Sequence, residues 1–267
     1  MVRQDPGPAE VVPARGRWRL ASREMDIERF GPIREDIVAG GMRLGILRPP
    51  SAEDLIDEEE YARDERLPYW AELWPSARVL AGALAGAPLA GLRVLELGCG
   101  LGLPSVVALA RGARTLATDW YAEALAFAER NALAATGRHL DTLLVDWRDP
   151  PAALLRRAPF DLVVAADVLY EARNAEALAA LLPRVVAPDG EAWIADPRRP
   201  DAARLWEALA AQGWQSEVEE VRLSGRVDEA GPVVRLHRLS PPPRALSPPS
   251  QDGRPESDRL SRARDPR

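Results

Sequence analysis

The sequence predicts an α/β fold in which a Rossmann-like sheet of seven strands carries helices on both faces, with a small N-terminal β-hairpin ahead of it. Two observations predict this architecture. After residue 90, short apolar segments alternate with alanine-rich helical segments, which is the pattern of parallel strands joined by helices. Later, two extended segments follow one another without a helix between them, so the sheet is expected to end in an antiparallel hairpin.

The predicted domain occupies residues 22–239, and both ends of the chain are expected to be disordered tails. Residues 1–21 and 240–267 mix proline with charges of both signs, and the second of these tails is also rich in serine and arginine. Such compositions cannot bury enough apolar surface to offset the entropy of the chain. Within the domain we distinguish an N-terminal extension, 22–89, from a Rossmann-like core, 90–239.

The extension begins with a hairpin signal and continues with an acidic segment. Gly40 and Gly41 separate two short apolar segments between Asp36 and Pro49, as in a tight hairpin turn. Eight carboxylates follow, against the single arginine Arg63: Glu53, Asp54, Asp57, Glu58, Glu59, Glu60, Asp64 and Glu65. A run of this kind is typical of a solvated helix face, and it can also attract a basic protein surface.

The core is predicted to contain five parallel strands and a terminal hairpin. The strand candidates are 93–97, 115–118, 142–145, 162–166 and 192–195, and the two hairpin segments are 214–223 and 231–239. The helix candidates between them are 104–111, 121–135, 151–157, 174–187 and 201–211. This order brings the carboxyl ends of the parallel strands to one edge of the sheet, where open α/β sheets bind their ligands.

Composition and charge exclude several classes of function. The chain has a net charge of -6, which argues against a protein that coats nucleic acid, and it has no apolar run long enough for a membrane span or a signal peptide. We therefore expect a cytoplasmic protein. Cys99 is the only cysteine, and the two isolated histidines, His139 and His237, lack metal-ligand spacing, so no metal site is expected. All 35 cationic residues are arginine, since the sequence contains no lysine.

The segment "LRVLELGCGLGL" runs from the first predicted core strand into a glycine-rich loop. A dinucleotide-binding turn needs G-x-G-x-x-G, and here Gly98 and Gly100 are followed by Gly102, with Leu103 where the third glycine should stand. Glu96 precedes the loop, and a carboxylate there would repel a pyrophosphate but would suit a ligand that carries an ammonium group. Together these features favour S-adenosylmethionine as the cofactor, with Cys99 as a small residue of the binding loop.

The next strand ends supply further candidates for binding that cofactor. Asp119 follows the second core strand, and an ionised carboxylate can accept hydrogen bonds from both ribose hydroxyls. After the third strand, Asp146 could accept from the adenine amino group and Trp147 could offer an aromatic face or its backbone N–H. Ala166, after the fourth strand, would let adenine approach the backbone. Taken singly, each acid could also be a helix cap.

These motifs resemble those of the class I, seven-stranded S-adenosylmethionine-dependent methyltransferases, over residues 90–239. The segment "LPYWAELWPSARVLA" ahead of the glycine loop, together with "DVLY" after the fourth strand, is similar to the family-16 methyltransferases, many of which modify protein lysines. Enzymes that methylate the beta subunit of electron-transfer flavoprotein are the nearest look-alikes within it. The chain departs from them in "IADPRRP", where Arg198 stands in place of an expected glycine.

The resemblance implies roles for individual residues. Trp74, the glycine loop, Asp119, Trp147 and Ala166 would contact the cofactor. Asp167 and Tyr170 would face the substrate, Asp167 by orienting an incoming ammonium group and Tyr170 by lining the channel. A helix cap for Asp167 and a core position for Tyr170 are the structural alternatives.

The implied acceptor is a protein lysine, and the electron-transfer flavoprotein beta subunit or a ribosomal or translation protein are candidate partners. Two other functions remain open at this stage. One is a small-molecule N-methyltransferase with a nicotinamide-like substrate, and the other is a catalytically silent protein that binds S-adenosylmethionine and recruits partners. A nucleic-acid methyltransferase is not expected, because "ADVLY" replaces the Asn-Pro-Pro-Tyr or Asp-Pro-Pro-Tyr motif that holds a planar amino group.

Overall fold

The computed structural model describes residues 25–56, 67–223 and 231–243. Its strands are β1 (Ile33–Ala39), β2 (Met42–Arg48), β3 (Arg93–Leu97), β4 (Arg114–Asp119), β5 (Asp141–Leu144), β6 (Phe160–Ala166), β7 (Val186–Asp196), β8 (Gln215–Arg222) and β9 (Val233–Ser240). Its α-helices are α1 (Pro75–Gly86), α2 (Leu103–Ala110), α3 (Ala122–Thr136), α4 (Ala152–Leu155), α5 (Ala172–Val185) and α6 (Ala202–Ala211). Short 3-10 helices lie at Ile27–Phe30, Glu53–Leu55 and Tyr69–Ala71.

Seven strands form one sheet in the order β5-β4-β3-β6-β7-β9-β8, which confirms the predicted fold class. The first five strands in this order are parallel, and β9 is antiparallel to both β7 and β8. The chain order reverses between β3 and β6, so the carboxyl ends of these central strands border a crevice. Ligands of open α/β sheets bind at such a reversal.

Two apolar layers cover the sheet. One face packs against α1, α2 and α3 together with the N-terminal hairpin, and the other packs against α4, α5 and α6. Strands β3 and β6 lie between the two layers, where their apolar residues are almost entirely buried. Strand β8 lies at the free edge, and seven of its eight residues are exposed.

The predicted N-terminal hairpin is present as β1 and β2, and it packs against the core. Gly40 and Gly41 form its turn with φ values of +54° and +84°, as a tight hairpin turn requires. A Cβ on Gly40 would lie 2.4 Å from the Cβ of Ala85, so glycine is needed for the hairpin to approach α1. Asn131, fully buried in α3, joins the hairpin to the glycine loop: its amide bonds both the N–H and the carbonyl of Leu47 and donates to the carbonyl of Leu101.

Strand β7 departs from the prediction, because it begins at Val186 and not at Ala192, and the preceding helix ends at Val185 instead of at residue 187. The physical reason lies in the local sequence. Pro188 disfavours a helical conformation at the residue before it, and the β-branched pair Val185 and Val186 favours extended backbone. The other core strands and helices begin and end close to their predicted bounds.

Some predictions fall outside the described part of the chain. Glu53 and Asp54 of the acidic segment lie in the 3-10 helix Glu53–Leu55, but residues 57–66 are not described. Nor are residues 1–24 and 244–267, which include nearly all of the two predicted tails. Within the residues that are described, no helix has the length and apolar character that crossing a membrane requires.

Candidate functional site

A cavity opens at the carboxyl ends of β3, β4, β5 and β6. All of the residues that the sequence singled out line it: Trp74, Glu96, Gly98, Cys99, Gly100, Gly102, Asp119, Asp146, Trp147, Ala166, Asp167 and Tyr170. They come from five separate segments of the chain. These segments meet where the chain order of the strands reverses between β3 and β6.

The glycine loop is shaped by positive φ values at Gly98, Gly100 and Gly102. A Cβ on Gly98 would lie 3.1 Å from the Trp147 ring, so the missing side chain keeps the cavity floor open. A Cβ on Gly102 would lie 2.6 Å from the Cβ of Ala128 in α3. Gly102 therefore provides the close helix packing that the third glycine of a dinucleotide fingerprint provides one position later.

Asp119 holds the glycine loop and the start of α3 in place. Its Oδ2 accepts from the backbone N–H of Gly100 over 2.9 Å, and its Oδ1 accepts from the N–H of Tyr121 over 3.0 Å. The helix-cap alternative is thus partly right, since Tyr121 is the residue at the N-cap position of α3. A carboxylate has about four acceptor positions, so these two bonds are compatible with further bonds to a ligand in the cavity.

Glu96 is 1% exposed at the end of β3, and its partner is Ser105 near the start of α2. The Glu96 Oε2 accepts from the Ser105 N–H over 2.9 Å and also from the Ser105 hydroxyl. Burial raises the pKa of Glu96 to about 8, although the bonds from Ser105 oppose that shift. This carboxyl group therefore takes up and releases its proton close to neutral pH.

Cys99 is a buried residue of the loop, and its thiol is a poor nucleophile. Burial raises the pKa of Cys99 well above its usual value, and the nearby carboxylates of Asp119 and Glu96 raise it further. The thiolate, which is the nucleophilic form, is therefore suppressed. This environment agrees with the interpretation of Cys99 as a small loop residue.

The end of the cavity near β5 contains a bonded carboxylate and an aromatic ring. Arg148 donates to both oxygens of Asp146, with Nε and Nη2 at 3.0 and 2.9 Å, and its guanidinium lies 5.5 Å from the Trp120 ring centre. A group that bonds Asp146 must therefore share it with Arg148. The Nε1 of Trp147 is buried and has no acceptor among the described residues, which leaves one donor for a ligand.

Aromatic rings surround the mouth of the cavity. Tyr69 lies 5.2 Å from Tyr170 and 6.0 Å from Trp74, ring centre to ring centre, in both cases edge to face. Tyr170 is 37% exposed, so the core position considered for it is wrong. Trp70 faces inward, against Phe30, whereas the Nε1 of Trp74 donates to the Tyr69 carbonyl at the mouth.

Asp167 lies at the mouth in an ion pair with Arg199. The Arg199 Nε donates to the Asp167 Oδ1 over 2.7 Å, and this bond raises the pKa of Arg199. The residue at the N-cap position of α5 is Glu171, four residues later, so the helix-cap alternative for Asp167 is wrong. Asp167 has a φ of +56°, and its N–H donates to the carbonyl of Ala195 in β7.

Sequence reasoning missed the partners of the site residues. Arg199, Tyr69, Ser105 and Arg148 each bond or contact a residue that the sequence singled out. Only Arg199 had a signal, because it lies in the "DPRR" segment where a glycine was expected at 198. Arg198 indeed has a φ of +69°, the left-handed conformation that glycine adopts without strain.

The residues of the cavity fit an adenosyl cofactor that carries a sulfonium and an amino acid end. The glycine loop leaves space for close approach, Asp119 offers acceptors for hydroxyl groups, and the buried carboxyl of Glu96 lies beneath the loop. The unpaired Trp147 Nε1 and the Ala166 backbone border the far end. The carboxylates at the cavity wall suit a cationic ligand better than a pyrophosphate.

Comparison with known proteins gives a consistent result. The model of a family described as lysine methyltransferase matches residues 68–208. The chain is 35% identical over 150 residues to a ribosomal protein L11 methyltransferase of Synechococcus sp. (strain RCC307), covering 54% of this chain and 48% of that protein. It is 32% identical over 136 residues to an electron transfer flavoprotein beta subunit lysine methyltransferase of Xenopus laevis, covering 49% and 53%.

Among solved structures, a putative S-adenosylmethionine-dependent methyltransferase from Streptococcus mutans matches with a TM-score of 0.53 at 12% identity. The match covers 77% of this chain and 55% of that one. At this identity the likeness shows the fold alone. The chain spans about half the length of the first curated relatives that it matches.

Proposed function

The chain belongs to the lysine methyltransferase family, which is S-adenosylmethionine-dependent, and from that premise we propose that it methylates the side-chain amine of a protein lysine. One observation carries the proposal. A single cavity is lined by the glycine loop and Asp119, which we call its inner end, and by Asp167 with the exposed rings of Tyr69 and Tyr170, which we call its outer end. Cofactor and acceptor could therefore meet within it.

The inner end would hold the cofactor. Asp119 would accept from the ribose hydroxyls while it continues to hold the Gly100 N–H, and the backbone of the glycine loop would border the amino acid end. Trp147 would lie against the adenine, with Ala166 leaving room beside it. When bound, S-adenosylmethionine supplies a methyl carbon on a positive sulfonium, so an amine lone pair can form the N–C bond while the C–S electron pair returns to sulfur.

The outer end would bind the acceptor. Asp167 would accept a hydrogen bond from the lysine ammonium and bring its nitrogen into the cavity, and Tyr69 and Tyr170 would enclose its methylene chain. A free lysine is mostly protonated at neutral pH, and only the neutral amine can attack. Enclosure by the aromatic rings removes water, and this desolvation favours the neutral amine. The proton leaves through the open mouth to solvent.

The chain's main contribution would be geometric. Holding nucleophile and methyl group in near-attack geometry can supply roughly 7 to 11 kcal/mol of the barrier. Asp119 at the end of β4 and Asp167 after β6 are both held by hydrogen bonds to the backbone, on either side of β3.

The proposed partner is a protein with a basic surface, because the chain carries a net charge of -6. Two of the relatives are named for protein substrates, ribosomal protein L11 and the electron transfer flavoprotein beta subunit. A ribosomal or flavoprotein subunit is therefore the first acceptor to try. We further propose that the reaction takes place in the cytoplasm.

The test is incubation of the purified chain with radiolabelled S-adenosylmethionine and a lysate of the cells that encode it. We expect a labelled protein band whose hydrolysate contains methylated lysine. Because the chain has no lysine, label in methyl-lysine cannot come from the enzyme itself. Label confined to the small-molecule fraction would instead indicate a small-molecule N-methyltransferase. Cofactor binding without any labelled product would indicate a silent binding protein.

A further inference from the structure

An ion pair joins the loop after β7 to the loop after β6 at the wall of the cavity. It links Arg199 to Asp167 over 2.7 Å, and the Asp167 side chain is only 4% exposed, against 34% for Arg199. Asp167 lines the cavity, whereas Arg199 does not. The carboxylate therefore borders the cavity, and its counter-charge lies outside the cavity lining.

The pair engages only one oxygen of Asp167. Oδ1 accepts from Arg199, and no donor from residues 25–56, 67–223 or 231–243 bonds Oδ2. Because Asp167 lines the cavity, Oδ2 can accept a hydrogen bond from a group that enters it. The carboxylate thus offers one acceptor atom to the cavity while its other oxygen is bound to a positive charge.

Arg199 is held in this position by its own loop. Asp196, 2% exposed, accepts from the backbone N–H groups of Arg198 and Arg199 over 2.8 and 3.1 Å. The Arg199 guanidinium also lies 5.9 Å from the Trp74 ring centre. An exposed ion pair must order two long side chains and contributes little, but here one partner is buried and the other is anchored.

We propose that Arg199 is a positioning residue, which holds Asp167 as a one-oxygen anchor for a cationic acceptor amine. This inference rests on the proposed function. Its cause is electrostatic, because the guanidinium bound to Oδ1 places a positive charge beside a buried carboxyl group that has a second acid, Asp196, close by. With Oδ1 held in this way, Oδ2 can form a charge-assisted hydrogen bond with an ammonium group.

Other titratable groups also line this part of the cavity or interact with Arg199. They are Asp196 on the loop after β7, Tyr69 and Glu72 ahead of α1, and Tyr170 and Glu171 on the loop before α5. Asp196 responds to Arg199 as well, because burial raises the pKa of Asp196 and the guanidinium opposes that rise. A pH dependence that appears only when Arg199 is replaced therefore belongs to Arg199 and the two acids beside it, and repeating Arg199→Gln in an Asp196→Asn background assigns it to Asp167.

The experiment measures binding of n-butylammonium, which mimics the end of a lysine side chain, against n-butanol as its neutral isostere. Ligand-observed NMR on the full chain gives both affinities between about pH 5.5 and 8.5, where the amine stays protonated. For the wild type we expect a preference for the cation of roughly tenfold, the scale of one charge-assisted hydrogen bond. We expect this preference to be nearly constant over the pH range.

In Arg199→Gln the preference should become pH-dependent. At the acid end the cation should bind roughly tenfold more weakly than to the wild type, because the unsupported carboxyl is neutral there. At the alkaline end the affinity should return to that of the wild type or exceed it. Arg199→Lys should keep the flat profile, and Arg204→Gln, which removes an exposed arginine paired with Asp201, should match the wild type throughout.

The outcomes separate this inference from the proposed function. A wild-type chain that shows no preference for the cation would remove the ammonium anchor and, with it, the support that the outer cavity gives to lysine methylation. A clear wild-type preference with the same flat profile in Arg199→Gln would overturn the role of Arg199 alone. If circular dichroism shows that the Gln variant is unfolded, Arg199→Met, which keeps the length and the contact with Trp74, replaces it with the same expectations.

Discussion

At the scale of single residues, Asp119 and Asp167 are carboxylates with different surroundings. Asp119 accepts from the backbone N–H groups of Gly100 and Tyr121 at the inner end of the cavity. Asp167 is held by an arginine at the mouth. Backbone donors fix the position of Asp119 toward a ligand bound on the glycine loop, whereas the pairing of Asp167 leaves it directed at whatever enters from outside.

These surroundings predict separable effects of two substitutions. Asp119→Ala should weaken S-adenosylmethionine binding by about 1.5 to 3 kcal/mol, because it removes hydrogen bonds to a charged group. Asp167→Asn keeps the shape of the side chain, so it should lower turnover while cofactor affinity stays within about 1 kcal/mol. Calorimetry and kinetics at saturating cofactor measure the two effects, with Asp149→Ala, an exposed carboxylate, as the control. Loss of affinity in the Asp167 variant with normal turnover would reverse these assignments.

Glu96 should make the free energy of unfolding depend on pH. Its folded-state pKa of about 8 lies above the ordinary value of 4.5, so the folded state holds a proton that the unfolded state has lost. Stability should therefore fall as pH rises from 4.5 toward 8, and then level off. Glu96→Gln cannot ionise and should lack this loss. Urea midpoints of the wild type and of Glu96→Gln at pH 5.5 and 8 test the prediction. If the midpoint changes equally between these pH values in both proteins, the prediction is contradicted.

At the scale of secondary-structure elements, the close contact of α2 with α3 depends on Gly102. Gly102→Ala places a Cβ 2.6 Å from that of Ala128 and also requires a positive φ of +78°, so we expect a loss of roughly 2 to 4 kcal/mol. Gly137→Ala is the matched control, since its φ is +68° but nothing lies within 4 Å of the added Cβ. It should lose only about 1 kcal/mol. Equal urea midpoints for the two variants would show that packing contributes nothing.

The contact of β9 with α6 contains a buried histidine. His237 stacks on Trp206 at 3.9 Å between ring centres, and burial, aided by Arg235, lowers its pKa from 6.5 to about 4. As pH falls, the His237 ring takes up a proton in the unfolded state at a higher pH than in the folded state. Stability should therefore be lost as pH falls from 6.5 toward 4. His237→Phe keeps the stacked ring and should remove that loss. Thermal melting at pH 7 and pH 4.5 measures the difference, and a variant that loses as much as the wild type would contradict the prediction.

At the scale of the whole molecule, the net charge of -6 and the acidic segment predict salt-dependent encounter with a basic protein. Changing Asp57, Glu58, Glu59 and Glu60 to their amides should lower kcat/KM for a protein acceptor at low salt. The deficit should shrink as salt is added, because charges are screened over about 8 Å at physiological ionic strength. Turnover at saturating acceptor should hardly change.

The control for this experiment is a second variant, which neutralises four other exposed carboxylates of the core domain: Asp149, Glu176, Asp189 and Glu207. It makes the same change in net charge at other positions. If both variants behave alike, the overall charge governs encounter and the acidic segment has no special role. If the first variant equals the wild type at every salt concentration, the segment is only a solvated surface.

The sequence was sufficient for the succession of strands along the chain and for part of the cavity lining, because both follow from local signals. Apolar periodicity marks each strand, and acids or aromatic residues after parallel strands must meet at one edge. The contacts of those residues could not be predicted, since the pairing of Arg199 with Asp167 joins loops that are 32 positions apart. The hydrogen bond between Asn131 and the N-terminal hairpin joins residues that are even farther apart in the sequence, by 84 positions.

The charges on strand β8 bear on whether two copies of the molecule can pair through this edge of the sheet. An exposed edge strand offers unpaired backbone groups to any other extended chain, and this is the usual route to edge-to-edge aggregation. Here the edge carries Glu217, Glu219 and Glu220 within four consecutive residues. Joining two such edges would bring glutamates from both chains together, and like charges on neighbouring strands repel. We therefore expect the glutamates of β8 to disfavour pairing of this edge with a second molecule, even though Glu219 and Glu220 also pair with arginines of β9.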